Sequence, residues 1–277
     1  MSTRLLFNRV VVCCAIGLSI LSHGSTWADE PAADAPASPT LLFLGDSITR
    51  GGGYVRLIGE ELSRRHPGNP PKVVNQGRSS ETVSNLSEAY HPGRRPCLFT
   101  RLDAELAANK PDWVVACYGI NDGIYHPFNE ERFTAYQAGI ESLIKKAHDS
   151  GARVILLTPP PFARTGPFPE GADAAAKQEI VAKANAAAEI KADKDPNTFG
   201  YRTPYAYYDE VMARYAEWLL TLNDRDNVWV VDVRTPMLAR LAETHGGDPI
   251  HPNATGHDIM AAAFLKRWPA IEGATKK

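Results

Sequence analysis

The chain reads as an α/β protein with a doubly wound, mainly parallel sheet, and three observations carry that expectation. Five short apolar runs begin near Leu41, Lys72, Trp113, Arg153 and Val228. The fullest of them lack polar alternation, as suits strands buried on both faces of a parallel sheet. Segments of helical period separate successive runs, the βαβ rhythm of such sheets. The runs stop at turn residues carrying Asp, Ser, Gly or Asn, and in open α/β sheets ligands bind outside the carboxyl ends of the strands.

Taken in order, Leu41–Gly45 is the first strand, followed by Asp46-Ser47, a glycine-rich turn (Gly51-Gly52-Gly53) and a helix starting near Tyr54. Tyr54, Leu57, Ile58, Glu61 and Leu62 keep helical spacing, with Val55 widening the apolar stripe. Pro67-Gly68-Asn69-Pro70-Pro71 ends that helix, and Lys72–Asn75 is the second strand, with a turn over Gln76–Ser80. A looser region, Glu81–Pro96, leads to a helix near Thr100–Ala108 and the third strand, Trp113–Tyr118, ending in Gly119-Ile120-Asn121-Asp122. A helix over Glu130–Ser150 closes on Gly151, and Arg153–Thr158 is the fourth strand. Residues 159–227 break the rhythm with a Pro/Phe-rich loop, an Ala-rich helix near Ala172–Asp193 and an aromatic helix near Tyr205–Leu222. They read either as an extended crossover or as a cap that shapes substrate choice. Val228–Val231 is the fifth strand. A helix near Pro236–Glu243 follows, and Thr255-Gly256-His257-Asp258 is a capped start for a last helix over Ile259–Trp268.

The 277 residues, 44% hydrophobic, suffice for one α/β domain, and a net charge of −2 offers no basic excess for nucleic acid or an anionic membrane surface. Arg4 and Arg9, the apolar Val10–Leu21 and the small residues up to Ala28 form a secretory signal over residues 1–28. The expected location is therefore secreted or periplasmic. A noncleaved anchor competes with that reading, but the apolar run is short for a span. Cleavage would take the net charge to −4 and leave no stable membrane association. Residues 29–39 are a Pro/Ala linker, and the folded domain occupies 40–277. Cys97 and Cys117 remain; export permits a bridge between them, whereas the apolar run around Cys117 favours a buried thiol.

Ser47, Gly77, Asn121 and the pair Asp248/His251 all fall at or just after strand ends, and a parallel sheet brings strand ends to one edge. Acyl transfer from an ester needs a nucleophile, a base, a group that orients the base and donors for the oxyanion. Ser47 fits the nucleophile, His251 the base, and Asp248, three residues earlier, the orienting carboxylate. The backbone N–H groups of Ser47 and Gly77 and the side-chain amide of Asn121 fit the oxyanion donors, Gly77 because a missing Cβ admits close approach. Asp46, Arg78, Tyr118 and Asp122 flank these groups and are candidates to contact substrate. Each feature alone has a plain reading: a turn glycine, a capping Asn-Asp, a surface histidine. Their joint occurrence in this order is what points to a hydrolase.

On Gly45-Asp46-Ser47-Ile48-Thr49, Asn75-Gln76-Gly77, Gly119-Ile120-Asn121-Asp122 and Asp248-Pro249-Ile250-His251-Pro252-Asn253, the sequence resembles the SGNH (GDSL-type) hydrolases over about residues 40–270. The resemblance implies a flavodoxin-like three-layer sandwich around a mainly five-stranded parallel sheet, a serine hydrolase site, and no metal or cofactor. Ile48 stands where many members have Leu. Ser80 stands where members often have a second glycine, and the 159–227 insertion is longer than in compact members.

The function expected is a secreted serine esterase removing short acyl groups such as acetyl from carbohydrate. The partner would be a small-molecule or carbohydrate ester, with Tyr118, Tyr125, Phe128 and Phe162 as candidate sugar contacts. A lysophospholipase or thioesterase is the alternative, and would need an apolar channel walled by Phe162, Phe168 and the Tyr205–Leu222 helix. A non-catalytic carbohydrate-binding protein on the same fold, or a nucleotide binder, is less consistent with a complete set of catalytic residue types. Gly51-Gly52-Gly53 also lacks the Lys-Ser/Thr of a phosphate loop.

Overall fold

A computed structural model describes residues 38–274, Tyr90 excepted. The signal peptide expected over 1–28 and nearly all of the linker expected over 29–39 lie outside the described residues. The sheet has five parallel strands, β1 (Thr40–Gly45), β2 (Lys72–Gly77), β3 (Trp113–Cys117), β4 (Arg153–Leu157) and β5 (Val228–Val231), in the order β2-β1-β3-β4-β5. β1 and β3, rich in Leu, Val and Trp, are almost wholly buried, as their unbroken apolar runs predict.

The helices are α1 (Ser47–Gly51), α2 (Gly53–Arg65), α3 (Leu102–Asn109), α4 (Glu130–Asp149), α5 (Ala174–Lys194), α6 (Tyr208–Leu220), α7 (Arg234–Leu238), α8 (Leu241–Thr244) and α9 (Ala254–Glu272). Right-handed crossovers from this strand order put α2 on one face and α3, α4 and α6 on the other, and α9, after the last strand, packs beside α2. On the first face Phe43 meets Tyr54 of α2 and Phe264 of α9, and Trp113 meets Trp268. On the second, Tyr136 of α4 stacks on Tyr215 of α6 with ring centroids 4.5 Å apart.

The order reverses between β1 and β3, so the crevice of this topology opens where Ser47 follows β1 and Asn121 follows β3.

Three local expectations are corrected. The turn after β1 is itself a short helix, α1, because Asp46 caps it: Oδ1 accepts the Ile48 N–H at 2.9 Å. Gly52, at φ 78°, then ends α1 and opens α2. The helix expected near Pro236–Glu243 is two short pieces, α7 and α8. The last helix starts at Ala254 and runs to Glu272, because Asn253 rather than Thr255 is its cap, accepting the Gly256 N–H at 3.1 Å. His257 therefore lies in the first turn of α9, with Nδ1 facing the Tyr54 N–H at 3.3 Å.

The segment between β4 and β5 divides by burial. In α5 only Ala188 is buried, whereas α6 buries Tyr208, Asp209, Val211, Met212, Tyr215, Ala216 and Leu219. The second half is thus part of the core. Cys97 and Cys117 are buried free thiols. Among the described residues no helix is long and apolar enough to cross a membrane.

Candidate active site

α1 carries Ser47 in its first turn, directly after the buried end of β1, so its backbone N–H has no acceptor within the helix. Ser47 Oγ lies 2.8 Å from His251 Nε2, and His251 Nδ1 lies 2.5 Å from Asp248 Oδ2. Asp248 Oδ1 also accepts the Ile250 N–H at 2.8 Å, which folds the Asp-Pro-Ile-His turn so that both side chains face Ser47. The loop is pinned at its base: His245 bridges Pro252, and Asn253 donates to the carbonyls of Thr244 and Glu243, each at 2.9 Å. The Ala163 N–H holds the Pro249 carbonyl at 2.8 Å.

His251 and Asp248 keep 46% and 51% of their side-chain surface, so the chain of three groups opens to solvent. Partial burial pushes the Asp248 carboxyl up, but the hydrogen bonds from His251 and the Ile250 N–H outweigh it and hold it below its ordinary range. A carboxylate in this position favours the Nδ1–H tautomer of His251, in which Nε2 can accept the Ser47 hydroxyl.

The Asn121 loop is rigid by construction. Gly119 has φ 133°, a region that disfavours any side chain. Its N–H donates to Asp122 Oδ2 at 3.0 Å while its carbonyl accepts the Asp122 N–H at 2.9 Å. Asn121 is 4% exposed, and its Oδ1 accepts from Arg95 Nη1 at 2.9 Å and from the Tyr125 hydroxyl at 3.0 Å.

Gly77 departs from the reason given for it. A Cβ there would stand 2.3 Å from the Arg50 nitrogen and 2.7 Å from the Thr49 carbonyl carbon. The close approach of α1 by itself requires the glycine. Its N–H already donates to Asn75 Oδ1 at 3.0 Å, while Asn75 Nδ2 donates to the Thr49 carbonyl at 2.8 Å.

Three of the four flanking candidates are buried instead of lining the crevice. Asp46 is spent on the α1 cap; Asp122 accepts the Val83, Ser84 and Gly119 N–H groups; the Tyr118 hydroxyl donates to Glu81 at 2.7 Å. Burial pushes Asp46 up to about 7, against the pull of the Ile48 N–H and with the charge of Asp122 adding to it. Burial likewise pushes Asp122 up to about 6, against its backbone donors. Arg78 is exposed and closes the turn through its N–H on the Gly45 carbonyl at 2.8 Å. Of the aromatic candidates, Tyr118, Tyr125 and Phe162 are core residues and Phe128 is half-buried. Ser80 sits at φ 63°, which explains a glycine preference at that position.

Sequence reasoning missed Glu81, Glu88, Arg95 and Arg101. Glu88 forms a buried ion pair with Arg95, and Glu81 one with the half-buried Arg101. All but Arg101 fall in the region without periodicity, where local sequence gives no sign of burial. Among the described residues no group of three or more His, Cys, Asp or Glu is placed to hold a metal.

The site is that of a hydrolase, and comparison with known proteins gives the class. The chain matches the GDSL-like lipase/acylhydrolase family over residues 43–259. It is 26% identical over 247 residues to an acetylxylan esterase of Geobacillus stearothermophilus, covering 82% of this chain and 92% of that one. A crystal structure of an acetylxylan esterase from that organism superposes with a TM-score of 0.53 at 25% identity, over 86% of this chain and 96% of the other. Its catalytic mutants carry alanine for a serine, for an aspartate, or for a histidine three positions after the aspartate. A G-D-S-L family protein from Desulfitobacterium hafniense shares the fold, with a TM-score of 0.53 at 18% identity over 83% and 99% of the two chains. The chain belongs to the GDSL-like lipase/acylhydrolase family. It is a carboxylic ester hydrolase with the five-stranded parallel fold of that family.

Proposed function

We propose that this esterase is exported and removes short acyl groups, acetyl foremost, from carbohydrate through Ser47, His251 and Asp248. The observation that carries the reading is the unbroken hydrogen-bond chain from Ser47 Oγ to His251 to Asp248. The Ser47 oxygen attacks the ester carbonyl carbon as His251 Nε2 takes its proton. The charge that builds on the carbonyl oxygen is met by the Ser47 N–H and the Asn121 Nδ2–H. Gly77 contributes its N–H by sharing or exchanging its bond to Asn75. His251 then protonates the departing alcohol, leaving acyl-Ser47, and next deprotonates water to release the acid.

Three features favour a short acyl group on a carbohydrate alcohol. The relative at 26% identity is an acetylxylan esterase, and its Asp–His spacing is that of Asp248 and His251. Of the residues that would wall an acyl channel, Phe162 and the inner face of α6 are packed in the core, and Phe168 is half-buried. The exposure of His251 and Asp248 leaves the leaving-group side accessible to a bulky alcohol. Export rests on the secretory pattern of residues 1–28.

The test is kcat/KM on 4-nitrophenyl esters from acetyl to dodecanoyl, alongside acetate release from acetylated xylo-oligosaccharides. Highest kcat/KM at acetyl, with acetate released from the oligosaccharides, is expected. A steady rise toward dodecanoyl without such release would overturn the carbohydrate reading in favour of a lipid-like ester.

A further inference from the structure

Arg95 belongs to none of the four motifs, yet its side chain is only 2% exposed. Glu88, equally buried, grips it with two bonds, Nε to Oε2 at 2.5 Å and Nη2 to Oε1 at 2.7 Å. The Tyr201 N–H approaches the same carboxylate at 3.3 Å. The remaining nitrogen, Nη1, bonds Asn121 Oδ1 at 2.9 Å and makes a longer contact to the Ser80 carbonyl at 3.4 Å.

A guanidinium donates and never accepts. Whatever faces Arg95 must therefore be the oxygen end of the Asn121 amide, and the NH2 end must turn away. Tyr125 alone could not impose this, since a phenol donates or accepts as required. Nδ2 is left with one long intramolecular contact, to the Glu81 carbonyl at 3.4 Å. A cation on Oδ1 also draws electron density from the amide and makes Nδ2–H a stronger donor. A buried ion pair is a poor way to gain stability, because desolvating both ions offsets their attraction. Its placement against one side-chain amide is better explained by what that amide does.

We infer that Arg95, clamped by Glu88, is the positioning residue for the oxyanion donor Asn121, holding its carboxamide with Nδ2 toward the reacting carbonyl and strengthening that donor. The inference rests on the reading of Asn121 given above. Arg95 touches neither substrate nor Ser47 and acts through Asn121 alone.

The test is a double-mutant cycle in the full chain: wild type, Arg95→Met, Asn121→Ala and the pair, with kcat and KM on 4-nitrophenyl acetate and a melting curve for each. Asn121→Ala is expected to lower kcat on the order of 10²–10³-fold. Arg95→Met should lower kcat at least about 10-fold with KM nearly unchanged, and Arg95→Lys should recover part of that loss. Adding Arg95→Met to Asn121→Ala should cost nothing further. Losses that multiply in the pair would overturn the inference while leaving Asn121 as a donor. An Asn121→Ala variant with unchanged kcat would remove the donor reading and the inference with it. If Arg95→Met does not fold, Glu88→Gln takes its place in the same cycle, with the same non-additivity expected and the same multiplication contradicting it.

Discussion

The Tyr208 hydroxyl donates to the backbone carbonyl of Ile120 at 2.8 Å, both groups being buried, so a helix from the segment between β4 and β5 holds the loop that carries Asn121. The Tyr205 N–H adds a second tie, to the Tyr125 carbonyl at 2.9 Å. The insertion thus contacts the Asn121 loop through its buried half. Tyr208→Phe would strand a buried carbonyl, at a cost of about 1–3 kcal/mol. The expected result is a lowered melting temperature together with a lower kcat, read by calorimetry and by 4-nitrophenyl acetate hydrolysis on the same preparation.

Gly77→Ala forces a Cβ against the backbone of Thr49 and Arg50, neither of which is a flexible side-chain end. α1 must shift, and Ser47 with it. A displacement near 1 Å costs on the order of 10²-fold in rate. The variant should remain folded with a reduced melting temperature and kcat. Retention of wild-type kcat would mean that the Gly77–α1 contact does not set the position of Ser47.

Asp248→Asn keeps the shape of the 248–251 turn but removes the anion that fixes the His251 tautomer. Loss of the corresponding carboxylate in a serine protease lowers kcat about 10⁴-fold, and a loss of that order or somewhat less is expected here, since Asp248 is half exposed. A fall in kcat with KM nearly unchanged in steady-state kinetics would separate this from a change in binding.

The fold was legible because most of its strands are unbroken apolar runs, and Ser47 and Asn121 follow the ends of β1 and β3, which the sheet topology brings side by side. Asp248 and His251 lie beyond α7 and α8, and it is their three-residue spacing that made them candidates beside Ser47. What could not be read was the purpose of the groups around them. Asp46 and Asp122 look like crevice residues in a linear sequence, yet they satisfy buried N–H groups. The glycine at 77 serves the approach of α1. Arg95 meets Asn121 across 26 positions that include α3 and β3, Glu88 binds Arg95 from within the stretch without period, and nothing local marks either as buried. The start of α9 lies earlier than expected because Asn253, the last residue of the motif, caps it in place of Thr255.

His126 offers a test of the pH dependence of stability. Its ring nitrogens are buried with no hydrogen bond of good geometry, the Phe199 backbone offering at most a weak one, and the Phe199 ring packs edge-on. Burial, with the nearby charge of Arg132, lowers its pKa from 6.5 to about 4. The unfolded chain therefore binds this proton first as pH falls, so stability drops between about pH 6.5 and 4 and levels off below that. His126→Phe removes this contribution, and the fall in melting temperature across that window should be shallower than in wild type. An identical slope in both proteins would contradict the assignment.

The central claim is that Ser47 is a nucleophile activated by His251. It is tested most directly by treating the full chain with an alkyl fluorophosphonate and locating the adduct by peptide mass spectrometry. A single phosphonylated residue, Ser47, is expected, with labelling and ester hydrolysis lost together in Ser47→Ala and labelling slowed in His251→Ala. An adduct on another residue, or hydrolysis undiminished in Ser47→Ala, would contradict it.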